Sequence, residues 1–108
     1  MQKRQLGPNG PHVSAIGLGA MSFGGLFGPT DEGESFACLD AMLEVGIDFI
    51  DTANIYGMGV SETVLGKWLA SRKPQVVIAT KASFVADPMR RVDNSEAHLR
   101  AELEASLR

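Results

Sequence analysis

The chain has 108 residues, 44% hydrophobic and 21% charged, with a formal net charge of −3. That is at most one domain of ordinary globular composition. No Lys/Arg stripe or basic arm gives an electrostatic footprint for nucleic acid, and no apolar run approaches the roughly 18 residues of a membrane span. Cys38 is the single cysteine; it excludes an internal disulfide, fits a reducing cytosol, and is expected to be buried in a helix. The basic start MQKRQLGPNG has no apolar stretch after it and does not read as a secretory signal. These properties predict a soluble cytoplasmic protein.

In chain order, the PNGP segment (8–11) is a strong turn signal between two short strands, so a β-hairpin is expected at the start. Residues 15–18 read as the first buried strand, followed by a loop rich in glycine and phenylalanine over 19–29. Asp31 with Glu34 three residues later is a capping-box pattern. It opens a helix with Phe36, Leu39, Met42 and Leu43 at helical spacing, which Gly46 is placed to end. Residues 47–51 form the second expected strand. Ser61 is expected to cap a second helix running to about residue 71, with Val64, Leu65, Trp68 and Leu69 inward. Lys73 and Pro74 break it.

The run 75–80 is the third expected strand, and its continuous apolar character predicts burial on both faces, as in a parallel sheet. A charged loop (87–94) leads to a third helix from about Ser95, with Leu99, Leu103 and Leu107 at i, i+4 and i+8. Hairpin followed by β-α-β-α-β-α predicts parallel βαβ units. The last helix carries no stop signal and its apolar stripe is still running at Arg108, so the chain is expected to be cut from a longer domain.

Chemistry concentrates where these strands end. Asp51 closes the apolar run 47–50, Tyr56 follows five residues later, and Lys81 closes the run 76–79. Groups at the carboxyl ends of successive parallel strands converge on one face. Two readings are open. A lysine ammonium beside a tyrosine favours the phenolate, and a carboxylate beside the lysine holds its charge and orientation; together they make Tyr56 a general acid. Alternatively, Asp51 and Lys81 are an ordinary ion pair and Tyr56 packs on the rim.

GLGAMSFGG (17–25) does not complete a dinucleotide-binding G-x-G-x-x-G, because position 22 is Ser22. It reads as a strand-end loop on the same face, with glycines that let the backbone approach a ligand. His98 falls on a solvent or helix-packing face and is not expected to be catalytic; His12 is expected to be exposed. Arg90 and Arg91 read as a solvated loop pair. No cluster has metal-ligand spacing, and no metal site is expected.

GIDFIDTANIYG (46–57) resembles the signature of the aldo-keto reductases. GVSETVLGKWL (59–69) resembles that family's second helix, VVIATK (76–81) its lysine strand, and NSEAHLRAELEASLR (94–108) its next helix; the opening hairpin and GLGAM also fit. The resemblance implies a TIM (β/α)₈ barrel with an N-terminal hairpin at its bottom, acting as an NADPH-dependent oxidoreductase that interconverts aldehydes or ketones and alcohols. Carried over by position, Tyr56 is the proton donor, Lys81 lowers its pKa, and Asp51 partners the lysine and borders the nicotinamide ribose. Gly19, Ala20 and Met21 match the loop beside the nicotinamide.

The family's fourth catalytic residue, a histidine closing the fourth strand, has no counterpart, and His98 does not match it. A TIM barrel takes about 250 residues. Residues 1–108 are therefore expected to be the N-terminal part of one barrel domain, its first three β/α units. A small carbonyl substrate is the implied partner. Alone, the fragment is expected to be inactive and to self-associate through open strand edges. The alternative is a non-catalytic nucleotide-binding or regulatory subunit that keeps the fold.

Overall fold

The computed structural model describes residues 1–87, 89 and 91–108. An antiparallel hairpin, β1 (Lys3–Gln5) and β2 (His12–Ser14), comes first, paired Lys3 to Ser14 and Gln5 to His12. A parallel sheet follows in the order β3 (Leu18–Gly19), β4 (Phe49–Asp51), β5 (Val77–Ala79). Helices α1 (Glu32–Glu44) and α2 (Val60–Arg72) connect these strands, and α3 (Glu96–Ser106) comes last. Register aligns Gly19 with Asp51 and Asp51 with Ala79, so the three strands finish in one row.

Local chemistry explains the helix ends. The Asp31 carboxylate accepts from the Glu34 backbone N–H at 2.8 Å, satisfying a donor that the first turn of α1 leaves free. After α1, Gly46 turns left-handed (φ +82°). Ser95 caps α3 by accepting from the His98 N–H at 3.3 Å.

One apolar core joins the helices to the sheet. Ala20 and Phe23 follow β3, Ile50 comes from β4, Leu39 and Met42 from α1, and Val64, Leu65 and Trp68 from α2. Fully burying a side chain of this size is worth about 1.5–3 kcal/mol. The Trp68 indole N–H also donates to Asp40 at 2.8 Å. Arg72 pairs with the same carboxylate at 3.1 Å, and the two donors hold the Asp40 carboxyl below the usual carboxylate range.

The structure departs from the sequence expectations at several points. The first strand is Leu18–Gly19, not 15–18. The Ala15 N–H still belongs to the hairpin, donating to Gln2 O, and Ile16 is exposed. Residues 15–17 are thus the connection between hairpin and sheet. β5 is shorter than expected and half-buried, because it forms an edge of the sheet among the described residues. Helix α2 starts at Val60 behind Gly59, so Ser61 lies inside it, wholly buried, and is not its cap. Cys38 is exposed, on the outer side of α1. In α3 no residue is buried, and Leu99, Leu103 and Leu107 all face outward.

Candidate functional site

The common row of strand ends places Asp51 in the middle of the sheet, two residues short of the level reached by Lys81 past β5. Backbone bonds then fold the following segment across the strand ends. The Thr52 N–H donates to Ala79 O at 2.8 Å, and the Asn54 N–H donates to Lys81 O at 3.1 Å. Tyr56 arrives at the end of a short turn, its N–H donating to Ala53 O. The three residues singled out from the sequence thereby meet.

Lys81 is the hub. Its Nζ donates to both oxygens of Asp51, at 2.9 and 2.8 Å, to the Thr52 carbonyl at 2.8 Å, and to the Tyr56 hydroxyl oxygen at 3.3 Å. The ammonium also lies over the Tyr56 ring, 5.1 Å from its centre, so it meets both the phenol oxygen and the π face. Burial acts to lower the lysine pKa, but the hydrogen bonds to Asp51 and Tyr56 outweigh it, and the net displacement is upward. Lys81 stays an ammonium at neutral pH. Because the Tyr56 oxygen accepts from Lys81, that contact leaves the phenol's own proton free to be donated elsewhere. The Lys81 and Asp51 side chains are 42% and 48% exposed, so the pair is open to solvent and its Coulomb energy is heavily screened.

The glycine-rich segment closes one side of the site. Gly19 ends β3, Ala20 is fully buried with its N–H donating to Asp51 O at 2.8 Å, and Met21 opens a 3₁₀ turn (Met21–Gly24). Gly24 rests directly on the backbone of the tyrosine loop. A Cβ there would come within 2.4 Å of Gly57 N and 2.6 Å of the Tyr56 carbonyl carbon. Beside Tyr56 a cleft of about 500 Å³ opens, lined by Met21, Leu26, Ile55, Met58 and Phe84 among others. A larger cleft, about 750 Å³, lies between α2 and α3 and includes neither Tyr56 nor Lys81.

Three further side chains organise this region without having been singled out for it. The Asn54 amide nitrogen donates to Phe84 O at 3.2 Å and to Glu102 at 2.6 Å. Both partners only accept, which fixes the amide's orientation and leaves its Oδ1 buried without a partner among the described residues. The buried hydroxyls of Thr52 and Ser61 lie 2.9 Å apart, and that of Ser61 also donates to Ala20 O at 2.9 Å. Asn54 and Thr52 stand in the same motif as Asp51 and Tyr56, and that adjacency was the one available signal for them.

The remaining expectations resolve as follows. His98 packs inward, its Nε2 2.9 Å from Ala82 O, and lies outside the Asp51, Tyr56 and Lys81 cluster. His12 is exposed, as is Arg91, while Arg90 lies outside the described residues. No helix among the described residues is long and apolar enough to cross a membrane.

Residues 15–108 match the model of the Aldo/keto reductase family. The chain is 47% identical over 90 residues to an aryl-alcohol dehydrogenase [NADP(+)] of Phanerodontia chrysosporium, covering 76% of this chain and 23% of that protein. With the L-galactose dehydrogenase of Arabidopsis thaliana the identity is 34% over 110 residues, 99% of this chain and 34% of the other. Among solved structures, the holo form of an aldo-keto reductase from Bacillus halodurans superposes with a TM-score of 0.83 at 34% identity, over 99% of this chain and 35% of its own. The chain thus spans about a quarter to a third of the length of these relatives. Fold, motif register and sequence agree: the chain belongs to the aldo/keto reductase family.

Proposed function

We propose that residues 1–108 are the N-terminal part of a single barrel domain and carry the proton-donating side of the active site of an NADPH-dependent oxidoreductase. Its reaction is the reduction of small aldehydes or ketones to alcohols, and the reverse. The observation that carries this reading is the Lys81 ammonium donating at once to the Asp51 carboxylate and to the Tyr56 hydroxyl oxygen.

In this reading Tyr56 gives its proton to the carbonyl oxygen of the substrate as that carbon is reduced. The phenolate left behind is stabilised by the ammonium of Lys81, 3.3 Å away. Asp51 keeps Lys81 charged and aimed, with the Thr52 carbonyl as a second anchor. The half-buried phenol and the mainly apolar cleft beside it favour a substrate that presents a carbonyl at the end of an apolar body.

The residues fit a nicotinamide cofactor. A Cβ placed on Gly19 would meet nothing within 4 Å, so the end of β3 faces open space where a flat ring has room. A carboxylate accepts about four hydrogen bonds, so Asp51 keeps capacity for a ribose hydroxyl besides Lys81. Gly19, Met21 and Asp51 are the residues we assign to touching the cofactor, with the wholly buried Ala20 holding that segment from behind. When bound, NADPH supplies the hydride. The name of the Phanerodontia relative, which carries NADP(+), supports that choice over NADH.

The test is Tyr56→Phe in the complete gene product. General acid catalysis is worth roughly 10²–10⁴-fold, so kcat/KM for a panel of small aldehydes should fall by about that factor. NADPH binding, followed by fluorescence, should change less than about threefold, since the phenol hydroxyl is assigned to the substrate. Turnover undiminished by the substitution would sink the assignment, whereas an unsubstituted protein that binds NADPH but oxidises none of it with these aldehydes would favour a nucleotide-binding subunit without catalysis.

A further inference from the structure

Ser61 is fully buried inside α2, yet nothing about packing requires a hydroxyl there. Its backbone N–H donates to Tyr56 O at 3.1 Å. Its hydroxyl donates to Ala20 O at 2.9 Å and lies 2.9 Å from the Thr52 hydroxyl. A serine has a single proton to give, and the Ala20 carbonyl can only accept. The direction of the chain is therefore fixed: Thr52 donates to Ser61, and Ser61 donates to Ala20. One residue thus ties together the tyrosine loop, the end of β4 and the segment that opens with Ala20 and Met21.

Resting on the function proposed above, we infer that Ser61 is a positioning residue of the reductase site, holding the proton donor's loop at a fixed separation from the cofactor-facing segment. Two observations bear on this beyond the bonds themselves. The Ala20 carbonyl also accepts from the Phe23 N–H at 3.1 Å, so removing the serine hydroxyl does not orphan that carbonyl. The Ala20 carbonyl thus stays bonded, whereas the buried Thr52 hydroxyl loses its acceptor and the hydroxyl tie between the two segments is gone. The same seam is closed further along by the direct contact of Gly24 with Gly57, where a Cβ on Gly57 would lie 2.6 Å from Gly24 Cα. The two segments are built to sit backbone against backbone, and the Ser61 hydroxyl pins the end nearest to Asp51.

Reacting groups misplaced by about 1 Å can lose about 10²-fold in rate, so a loosened seam acts on turnover more than on binding. In the complete gene product, Ser61→Ala should lower kcat about tenfold or more, at a temperature where both proteins are fully folded, while the NADPH Kd moves less than about threefold. Independently of activity, the backbone amide at position 61 should exchange with solvent about tenfold faster as its loop loosens. Thr52→Val, which leaves the bond from Ser61 to Ala20 intact, should cost less than Ser61→Ala.

A kcat within twofold of wild type in folded Ser61→Ala overturns the inference. So does a loss matched by an equal loss of NADPH affinity, or a Thr52→Val variant worse than Ser61→Ala. Should Ser61→Ala fail to fold, Ser61→Cys carries the test, because a thiol is a weak donor of similar size; reduced kcat with retained NADPH binding supports the inference, and unchanged kcat overturns it. Tyr56→Phe run alongside separates the two readings. Persistent turnover there removes the reductase assignment, whereas an inactive Tyr56→Phe with a wild-type-like Ser61→Ala removes only the role of Ser61.

Discussion

Helices α2 and α3 follow successive strands of the same sheet and are held by different forces. Helix α2 buries Val64, Leu65 and Trp68 against α1, β4 and Phe23. Helix α3, carrying as regular an apolar stripe, buries no residue at all. It is attached by polar contacts: Glu102 with Asn54, Ser106 with Glu62, and the His98 ring with Ala82 O. The hairpin is tied down by polar contacts as well, though unlike α3 it also buries an apolar side chain, Val13. Asp48 accepts from Ser14 N–H at 2.6 Å and from Lys3, while its own N–H donates to the Ser14 hydroxyl at 3.0 Å. Apolar burial is non-directional and roughly proportional to area, whereas hydrogen bonds at a surface give only about 1 kcal/mol each, net of water. The site residues sit where the two regimes meet: Ala20, Thr52 and Ser61 are buried, and Asp51 and Lys81 are open.

The largest effect should come from the core. Trp68 is 0% exposed and bonded to Asp40, so Trp68→Ala removes packing and one hydrogen bond and leaves a cavity, while Arg72 still pairs with Asp40. We expect a loss of about 3–5 kcal/mol, a large part of a domain's usual stability. Urea unfolding followed by far-UV circular dichroism measures it, since the variant has no tryptophan left to report. A loss under about 1 kcal/mol would contradict a core that depends on α2.

Next in size is Asn54→Ala, aimed at the α3 side. It removes the bridge to Phe84 and Glu102 but also the buried, unpartnered Oδ1, so the net cost should be about 1 kcal/mol. Amides of α3 should then exchange roughly fivefold faster, as 1 kcal/mol implies, with those of α1 and α2 unchanged. If all three helices accelerate together, α3 is not a separately held element and the contrast fails.

The hairpin supplies a smaller effect with a defined sign. Lys3, and then the Ser14 N–H, hold the Asp48 carboxyl below the usual carboxylate range. A lowered folded pKa gives stability that is present above the ordinary aspartate value, near 4, and is lost as pH falls through the folded one. Amide protection at Ala15, whose N–H donates to Gln2 O, should therefore weaken below about pH 4 ahead of the core amides. Asp48→Asn should show at pH 7 the loosening that wild type shows only in acid. Equal protection in both proteins at both pH values refutes this account of the hairpin.

The contrast also explains what could be read without coordinates. Asp51, Tyr56 and Lys81 were legible because strand ends and their spacing determine which groups meet, and backbone register delivers them. Ser61 was misread as a helix cap because its type and position suit one; its buried hydroxyl depends on Ala20, 41 residues away, which no local pattern encodes. Residues 15–18 looked like a strand since apolar runs do not say whether a neighbouring strand is present, and Ile16 is exposed and lies outside every strand described. Cys38 failed for the same reason: a free cysteine is usually buried, but α1 turns that face outward. The stripe of α3 was visible, and its lack of cover was not.

The smallest expected effect is the sharpest test of that last point, because it sets one substitution at two addresses. Leu39→Ala in α1, at a site with 0% exposure, should cost about 2–5 kcal/mol. Leu103→Ala in α3, at 54% exposure, should stay within about 0.5 kcal/mol, since alanine is also the better helix former. Unfolding of both variants at several protein concentrations decides the matter. A cost at Leu103 that grows with concentration would mean that another copy covers the stripe in solution, and α3 would then be held by apolar burial after all. A small, concentration-independent cost leaves α3 as a helix whose apolar periodicity contributes nothing in this chain, with its place set by Asn54, Glu62 and the Ala82 carbonyl.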